Sequence, residues 1–441
     1  MIGRVAWLLS RPGTAGAGAT ALPIAAFAIV TALLLAVLGG AQSFWTWTDD
    51  LAVTYQALAV VALVLLVVPL TSLGGAAARL SARRRDDRLA TLRLLGATPA
   101  SVSALAVIES AVLAGAGAVI GVAAYAALVP ALALIPFRGE ALGVNGVLLG
   151  WPALVAVPAC VVALAVVSAA LGLRLVVISP LGVRTRQDAP ELHWLRLVIG
   201  VVVVALAAGV IAVLQVAASA VMILVMLGLG FGGALAVQNL VGPWVIRLVA
   251  RSQARSAKSP AKLIAARSVL ESPKAAWRQV SGVAMTSFMA VFAGSGVAVL
   301  GSFGGAAPDL ESKLLFDDIR TGILITVVGS FLMVACSVGV NQAAAILDRR
   351  DLYESLGRLG MPTSIMDAAR RRSVMSPLRI TAIGSALTAA VVMLPLTGVT
   401  LIVAPLSLAV IAAVLAAGIG VVWLGLVATR PMLDRAGRVE A

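Results

Sequence analysis

The chain has 441 residues, 61% hydrophobic and 12% charged, with 33 Lys and Arg against 19 Asp and Glu for a net charge of +14. A composition so far below the charge content of about 25% usual in soluble domains excludes a water-soluble globule. A basic balance alone would suggest nucleic acid, but these cations sit in short stretches between long apolar runs, so no nucleic-acid partner is implied.

A helix must bring about 20 apolar residues to cross a hydrocarbon core of about 30 Å. Ten runs qualify: Ala21 to Ala41, Val53 to Leu73, Val102 to Leu134, Val147 to Leu171, Leu197 to Val216, Ala220 to Val241, Val280 to Leu300, Gly322 to Ile346, Pro377 to Leu396 and Leu401 to Val427. They are continuous Ala, Val and Leu stretches, which satisfy their backbone as helices, and not the short alternating segments of a β-barrel. The first run follows Trp7 and two arginines and is expected to remain as helix one instead of being removed as a leader. The expected fold class is an all-α polytopic membrane protein of about ten transmembrane helices.

Cations decide the orientation. Of the 33 Lys and Arg, only Arg138, Lys313 and Arg320 fall on the side of the odd-numbered loops. That bias places both termini in the cytoplasm, and the Ala-, Val-, Gly- and Arg-heavy composition is compatible with a high-GC bacterium, so the expected location is a bacterial inner membrane. The opposite loops carry Asp49, Asp50, Glu140, Asp309, Glu311, Asp317 and Asp318, and Phe44, Trp45, Trp47 and Trp151 stand at the expected outer edge. Pro69, Pro130, Pro158 and Pro405 are candidate kinks, and Gly115, Gly117 and Gly121 a small face for close helix packing. Cys160 and Cys336 fall inside runs, with neither disulfide nor metal spacing.

Two basic stretches can be laid over each other. At an offset of 264, Arg85, Asp87, Leu92, Leu95 and Gly96 after helix two meet Arg349, Asp351, Leu356, Leu359 and Gly360 after helix eight. Each is preceded by an amphipathic segment ending in proline, Trp7 to Pro12 and Leu263 to Pro273. Each is followed by a basic tail, with Pro180 and Arg184 matching Pro431 and Arg435. The expected organisation is two four-helix repeats, residues 1–190 and 251–441, joined by two linking helices in 191–250.

Leu89, Leu92 and Leu95 recur on one face of a short helix, and Leu352, Leu356 and Leu359 do so in the second copy. Gly96 and Gly360, each with a proline soon after, are expected to close these helices. Spacing alone leaves open whether such a helix lies on lipid headgroups or docks into a partner's groove.

The segment from Arg84 to Thr98, with its Leu92-Arg93-Leu94-Leu95-Gly96-Ala97 core, is followed by Val107-Ile108-Glu109-Ser110 and later by Ile178-Ser179-Pro180-Leu181-Gly182-Val183-Arg184. Together these resemble the FtsX-like permease domain. The resemblance implies a permease of the type VII ABC superfamily, whose internal helices couple a partner ATPase to the membrane. The ten-helix, two-copy layout is most similar to the bacitracin-resistance-type permeases. It departs from them in having only about twenty residues, Gly301 to Thr321, where they carry a large extracellular domain. Glu109 aligns with Ser373 and Arg93 with Gly357, so the second copy of the motif is degenerate.

By this resemblance the coupling residues are Arg85, Asp87, Leu89, Leu92, Leu95 and Gly96, with Arg349, Asp351, Leu352, Leu356, Leu359 and Gly360. They would serve two copies of an ABC ATPase. The leucines would fill a groove and the charges would fix register. None of Lys258, Lys262, Lys274 and Lys313 is preceded by glycine, so no Walker A motif is present, and ATP and Mg²⁺ belong to the partner. No catalytic, cofactor or metal site is expected in this chain. Glu109 is the one carboxylate expected to enter a helix, as a candidate intramembrane polar site about two turns from the cytoplasmic face, and a charge at mid-membrane costs at least about 2.5 kcal/mol. His193 reads as a surface residue beside Trp194.

The function expected is ATP-driven export or membrane extraction of an amphiphilic peptide, antibiotic or lipid-like molecule. The alternatives are a mechanotransmitting or sensory module on the same ATPase and an ion-coupled secondary transporter. The last would need buried carboxylate or basic relays.

Overall fold

Helix starts are written into the sequence as Ser or Thr followed by proline. Thr98 holds extended backbone, and its side chain accepts the Ser101 N–H at 3.3 Å, while Pro99 opens the helix. Ser259 and Pro260 repeat the device, with the Lys262 N–H donated to Ser259 Oγ at 3.4 Å. In each case the cap satisfies a donor that the first turn leaves unpaired, and proline occupies the position where a missing N–H costs nothing.

The computed structural model describes residues 18–49, 51–83, 98–177, 205, 209, 220–303, 310–348, 350–403, 405–431 and 433. Among these the helices are α1 (Gly18–Gln42), α2 (Ala52–Arg83), α3 (Pro99–Ala133), α4 (Gly143–Val147), α5 (Trp151–Val177), α6 (Ala220–Arg255) and α7 (Pro260–Glu271). They continue as α8 (Pro273–Phe303), α9 (Leu310–Asp348), α10 (Arg350–Arg358), α11 (Thr363–Val392), α12 (Leu394–Val403) and α13 (Pro405–Ala428). A 3₁₀ turn, Ser43–Thr46, follows α1. Between α3 and α4, β1 (Pro136–Phe137) and β2 (Glu140–Ala141) pair antiparallel.

Eight helices among the described residues are long and apolar enough to cross a membrane, and α2 adds a shorter apolar stretch, Ala52–Val67. The chain is therefore an all-α polytopic membrane protein. Nine of the ten expected runs coincide with these helices, and the run at 197–216 lies, but for 205 and 209, outside the described residues.

Three expectations change. Pro405 does not kink a helix but opens α13, so the run from Leu401 to Val427 is divided between α12 and α13. Pro69, Pro130 and Pro158 do lie within α2, α3 and α5. The expected loop from Gly301 to Thr321 is mostly helical, because α8 runs to Phe303 and α9 starts at Leu310, where charged residues extend its first turns past the apolar span. Pro273 opens α8 and does not end the amphipathic segment before it, which is α7.

Packing divides the chain into two units, Met1–Arg186 with Gly339–Arg349, and Gln187–Val338 with Arg350–Ala441. In the first, α1 lies against α3, α3 against α5, and α2 against α1 and α5. Leu35, Tyr125, Val129, Leu149 and Val157 form its core. The Tyr125 hydroxyl donates to Val147 O at 2.6 Å and accepts the Leu149 N–H at 3.1 Å, so a buried polar group fixes the turn into α5 at no unsatisfied cost.

The contact between α1 and α3 rests on two glycines one turn apart. A Cβ on Gly117 would lie 2.6 Å from Ile24 O and Phe27 Cβ, and one on Gly121 would lie 2.6 Å from Thr31 Cβ and 2.7 Å from Ala28 O. Nothing lies within 4 Å of a Cβ on Gly115. Helices without a hydrophobic driving force between them associate by such close approach. Gly121→Val is expected to lower stability by about 1–3 kcal/mol through overpacking, while Gly115→Val stays near wild type. Thermal unfolding midpoints in detergent check the pair.

The second unit is built around α8. Of its apolar window 67% is buried, against 17% for α13, so α8 is central and α13 peripheral among the described residues. Phe231, Phe288 and Phe292 meet at 5.3–5.6 Å and pack with Ala234, Val291, Ala389, Val392 and Met393. Polar pairs tie α6 to its neighbours: Ser385 Oγ donates to Gln238 Oε1 at 2.6 Å, and Trp277 Nε1 donates to Asn239 Oδ1 at 3.0 Å. On α13, Gly418 leaves room for the Phe331 ring of α9.

Candidate functional site

The short helix α10 carries the second of the two aligned internal segments. Leu352, Leu356 and Leu359 recur at four and three residues and so share one face, while Glu354 and Arg358 pair across the other at 2.6 Å. Leu352 is 49% exposed and Leu359 83%, with Leu356 half-buried. An isolated exposed leucine is ordinary, but two on one face of a helix with a charged back make an amphipathic surface that the described residues leave uncovered.

Gly360 closes α10. Its φ is +82°, its N–H donates to Gly357 O at 2.9 Å, and the Met361 N–H donates to Leu356 O at 3.0 Å. Both bonds satisfy carbonyls that the last turn leaves open, and the left-handed backbone is what glycine supplies without steric cost. Pro362, extended, then starts α11. The connection from α10 to α11 is therefore four residues, Leu359 to Pro362, and Gly360 and Pro362 are conformationally fixed.

The first turns of α11 hold a polar cluster that was not expected. Asp367 is 2% exposed and Arg370 6%. Arg370 Nη2 donates to Asp367 Oδ1 at 2.8 Å and to Leu426 O at 3.0 Å, and its Nη1 donates to Thr429 Oγ1 at 2.6 Å. Arg371 Nε lies 3.0 Å from Asp367 Oδ2. Leu426 belongs to α13 and Thr429 follows it, so the two Nη groups of the guanidinium bond a carboxylate of their own helix and the end of another, while Nε has no partner among the described residues. Arg372 Nη1 donates to Ser259 Oγ at 3.2 Å, and Ser376 Oγ donates to Gln253 Oε1 at 2.9 Å. This one end of α11 is thereby bonded to α13, to the cap of α7 and to α6.

The spacing Asp367-x-x-Arg370-Arg371 was a signal for this cluster, since residues three and four apart meet on a helix. Lying between the aligned internal segment and the apolar run from Pro377, these residues fell outside both of the patterns that the sequence displays. Glu109 lies in α3, whose apolar span begins at Val107, and is half-buried at the edge of the membrane region, not at its centre. Arg85, Asp87, Leu89, Leu92, Leu95, Gly96 and Arg349 lie outside the described residues, as does the side chain of Asp351.

A second cluster closes the first unit beside the 3₁₀ turn. Phe44, Trp47, Tyr55 and Phe137 contact one another at 4.9–6.0 Å. The Arg138 guanidinium lies 4.0 Å over Trp47 and 4.6 Å over Tyr55, and pairs Asp49 in two-pronged fashion at 3.0 and 2.8 Å. Of the four aromatics expected at the outer edge, Trp45 and Trp151 are exposed, whereas Phe44 and Trp47 belong to this cluster. Arg138, an exception to the charge bias, is thus paired, and its φ of +56° shows backbone strain accepted to place it.

Hydrogen bonding from Arg138 holds the Asp49 carboxyl below its ordinary range. A lowered folded-state pKa means that the stabilisation is present above the unfolded value of about 3.9 and is lost as pH falls through the folded one. Trp47 is expected to become more accessible to a soluble quencher as pH is lowered from 5 to about 2. In Asp49→Asn that pH dependence should disappear, and stopped quenching titrations along the pH series measure both.

Residues 77–180, from the end of α2 through α5, match the family model of the FtsX-like permease C-terminal domain. No curated protein matches the chain. FtsX-like permeases are membrane components of ABC transporters and partner ABC ATPases. With a match to that domain over residues 77–180 and eight membrane-length helices among the described residues, the chain is a multi-pass membrane protein that is similar, over that stretch, to the FtsX-like permeases of ABC transporters.

Proposed function

We propose that this chain couples ATP hydrolysis by a separate ABC ATPase to the export or membrane extraction of an amphiphilic substrate such as a peptide, an antibiotic or a lipid-like molecule. One observation carries the reading: α10 presents exposed Leu352 and Leu359 and is joined by the fixed Gly360 turn to α11. A partner that seats the leucines would displace α10, and the short joint would deliver the displacement to α11. The buried Arg370 bonds would pass it to the end of α13.

The segment from Arg85 to Gly96 would play the same part in the first repeat, giving two ATPase copies on one chain, with ATP and Mg²⁺ bound in those partners. The repeats would be residues 1–190 and 251–441, joined through 191–250, with both termini in the cytoplasm of a bacterial inner membrane. The charge bias and the offset of 264 between the two segments support this arrangement.

Reconstitution of the chain with its ATPase in proteoliposomes tests the transport reading. ATP hydrolysis is expected to rise when an amphiphilic substrate is added to the bilayer. Hydrolysis that no amphiphile changes, in a complex that retains a histidine kinase, would instead identify a sensory module.

A further inference from the structure

Where α6 ends, an open cavity of about 450 Å³ is lined by Leu248, Arg251, Ser252, Arg255 and Ser256. These positions fall three and four residues apart and form one stripe along the helix. All five are exposed, and among the described residues no carboxylate lines the cavity. A third cation reaches its edge, because Lys262 Nζ of α7 donates to Ser256 O at 3.3 Å and to Ser256 Oγ at 3.2 Å.

The cavity occupies the last turns of the candidate span Gly230–Arg255, where Arg247, Arg251 and Arg255 interrupt the apolar sequence, and charge of that density is expected at headgroup depth, not in the hydrocarbon. Leu248, 52% exposed, stands one turn further into the membrane on the same stripe. The order along the helix is thus apolar contact, then guanidinium and hydroxyl donors, then an ammonium. A phospholipid presents its own groups in that order, with an acyl chain beside Leu248 and a phosphate beside Arg251, Ser252 and Arg255. Guanidinium suits the phosphate because its planar fork offers two parallel donors to two oxygens.

We propose that this stripe binds the phosphate headgroup of an anionic phospholipid in the leaflet that the basic loops face. Two guanidiniums with an ammonium leave positive charge after one phosphate is seated, which favours an anionic headgroup over a zwitterionic one. The proposal rests on the chain spanning a membrane and is independent of the ATPase.

The full chain, purified in mild detergent, is titrated with dioleoyl-phosphatidylglycerol or dioleoyl-phosphatidylcholine and bound lipid is counted by native mass spectrometry. Wild type is expected to retain phosphatidylglycerol at concentrations that leave phosphatidylcholine unbound. Arg251→Gln with Arg255→Gln should weaken retention about tenfold or more, a loss of 1.4 kcal/mol or above. Arg251→Lys with Arg255→Lys keeps the charge and should retain most of the preference. Arg267→Gln with Arg278→Gln removes the same charge from exposed positions off the stripe and should leave retention unchanged. The proposal is overturned if both lipids are retained equally or if the two Gln pairs have equal effects, the mark of a merely basic membrane edge. Displacement of phosphatidylglycerol from wild type by excess inorganic phosphate would also overturn it, assigning the stripe to a soluble anion.

Discussion

Replacing Arg370 by alanine is expected to cost the second unit about 3 kcal/mol of stability, the low end of the range for breaking a buried ion pair. The cost comes from what is left behind. Asp367 stays buried with one oxygen unpaired, and Leu426 O and Thr429 Oγ1 each lose a guanidinium donor. Arg371 remains 3.0 Å from the other carboxylate oxygen, but its side chain is 30% exposed, so it offsets only part of the loss. Asp367→Leu with Arg370→Met removes both charges and should recover most of the stability, because the desolvation cost disappears with the pair. Thermal unfolding in detergent reads all three proteins. The double variant carries a functional corollary: with the bond from α11 to the end of α13 gone, a folded protein should lose transport while it still holds its ATPase.

Leu352→Asp with Leu359→Asp should do the reverse, leaving stability within about 0.5 kcal/mol of wild type, since both side chains are largely exposed. Seating each leucine in a partner's groove is worth about 1.5–3 kcal/mol. Losing two therefore weakens the ATPase complex by about two orders of magnitude or more, at tenfold for each 1.4 kcal/mol. Glu354→Lys, on the charged face, breaks only an exposed pair with Arg358 and should change affinity little. Titration of the purified ATPase onto immobilised permease checks the series. Unchanged affinity in the leucine pair would return α10 to the lipid surface, the other role open to an amphipathic helix.

Apolar runs reveal membrane helices because lipid imposes a length and a continuous hydrophobicity that few other structures need. α1, α3, α5 and α8 were legible for that reason, as was the glycine that closes α10, whose positive φ few residues but glycine adopt freely. Polar contacts between distant segments were not legible. Arg370 meets Thr429 across 59 residues, and Arg138 meets Asp49 across 89, and nothing in either neighbourhood names its partner. Small residues were ambiguous for a related reason. Gly115, Gly117 and Gly121 share a helix and a spacing, yet only the last two face α1, because the neighbour's position, and not the glycine pattern, decides which is needed. The first of the two proposed coupling segments, Arg85 to Gly96, rests on its alignment with α10 and on lying within the matched residues 77–180.

Co-purification tests the coupling account most directly. The solubilised chain is captured from its own membrane extract under mild conditions, beside a Leu92→Asp, Leu356→Asp variant that disables both proposed segments. Recovery of an ABC ATPase with wild type, and its loss from a variant that still elutes as a folded protein, is the result this account requires. Wild-type chain that brings down no ATPase even after cross-linking would contradict it and favour an ion-coupled carrier.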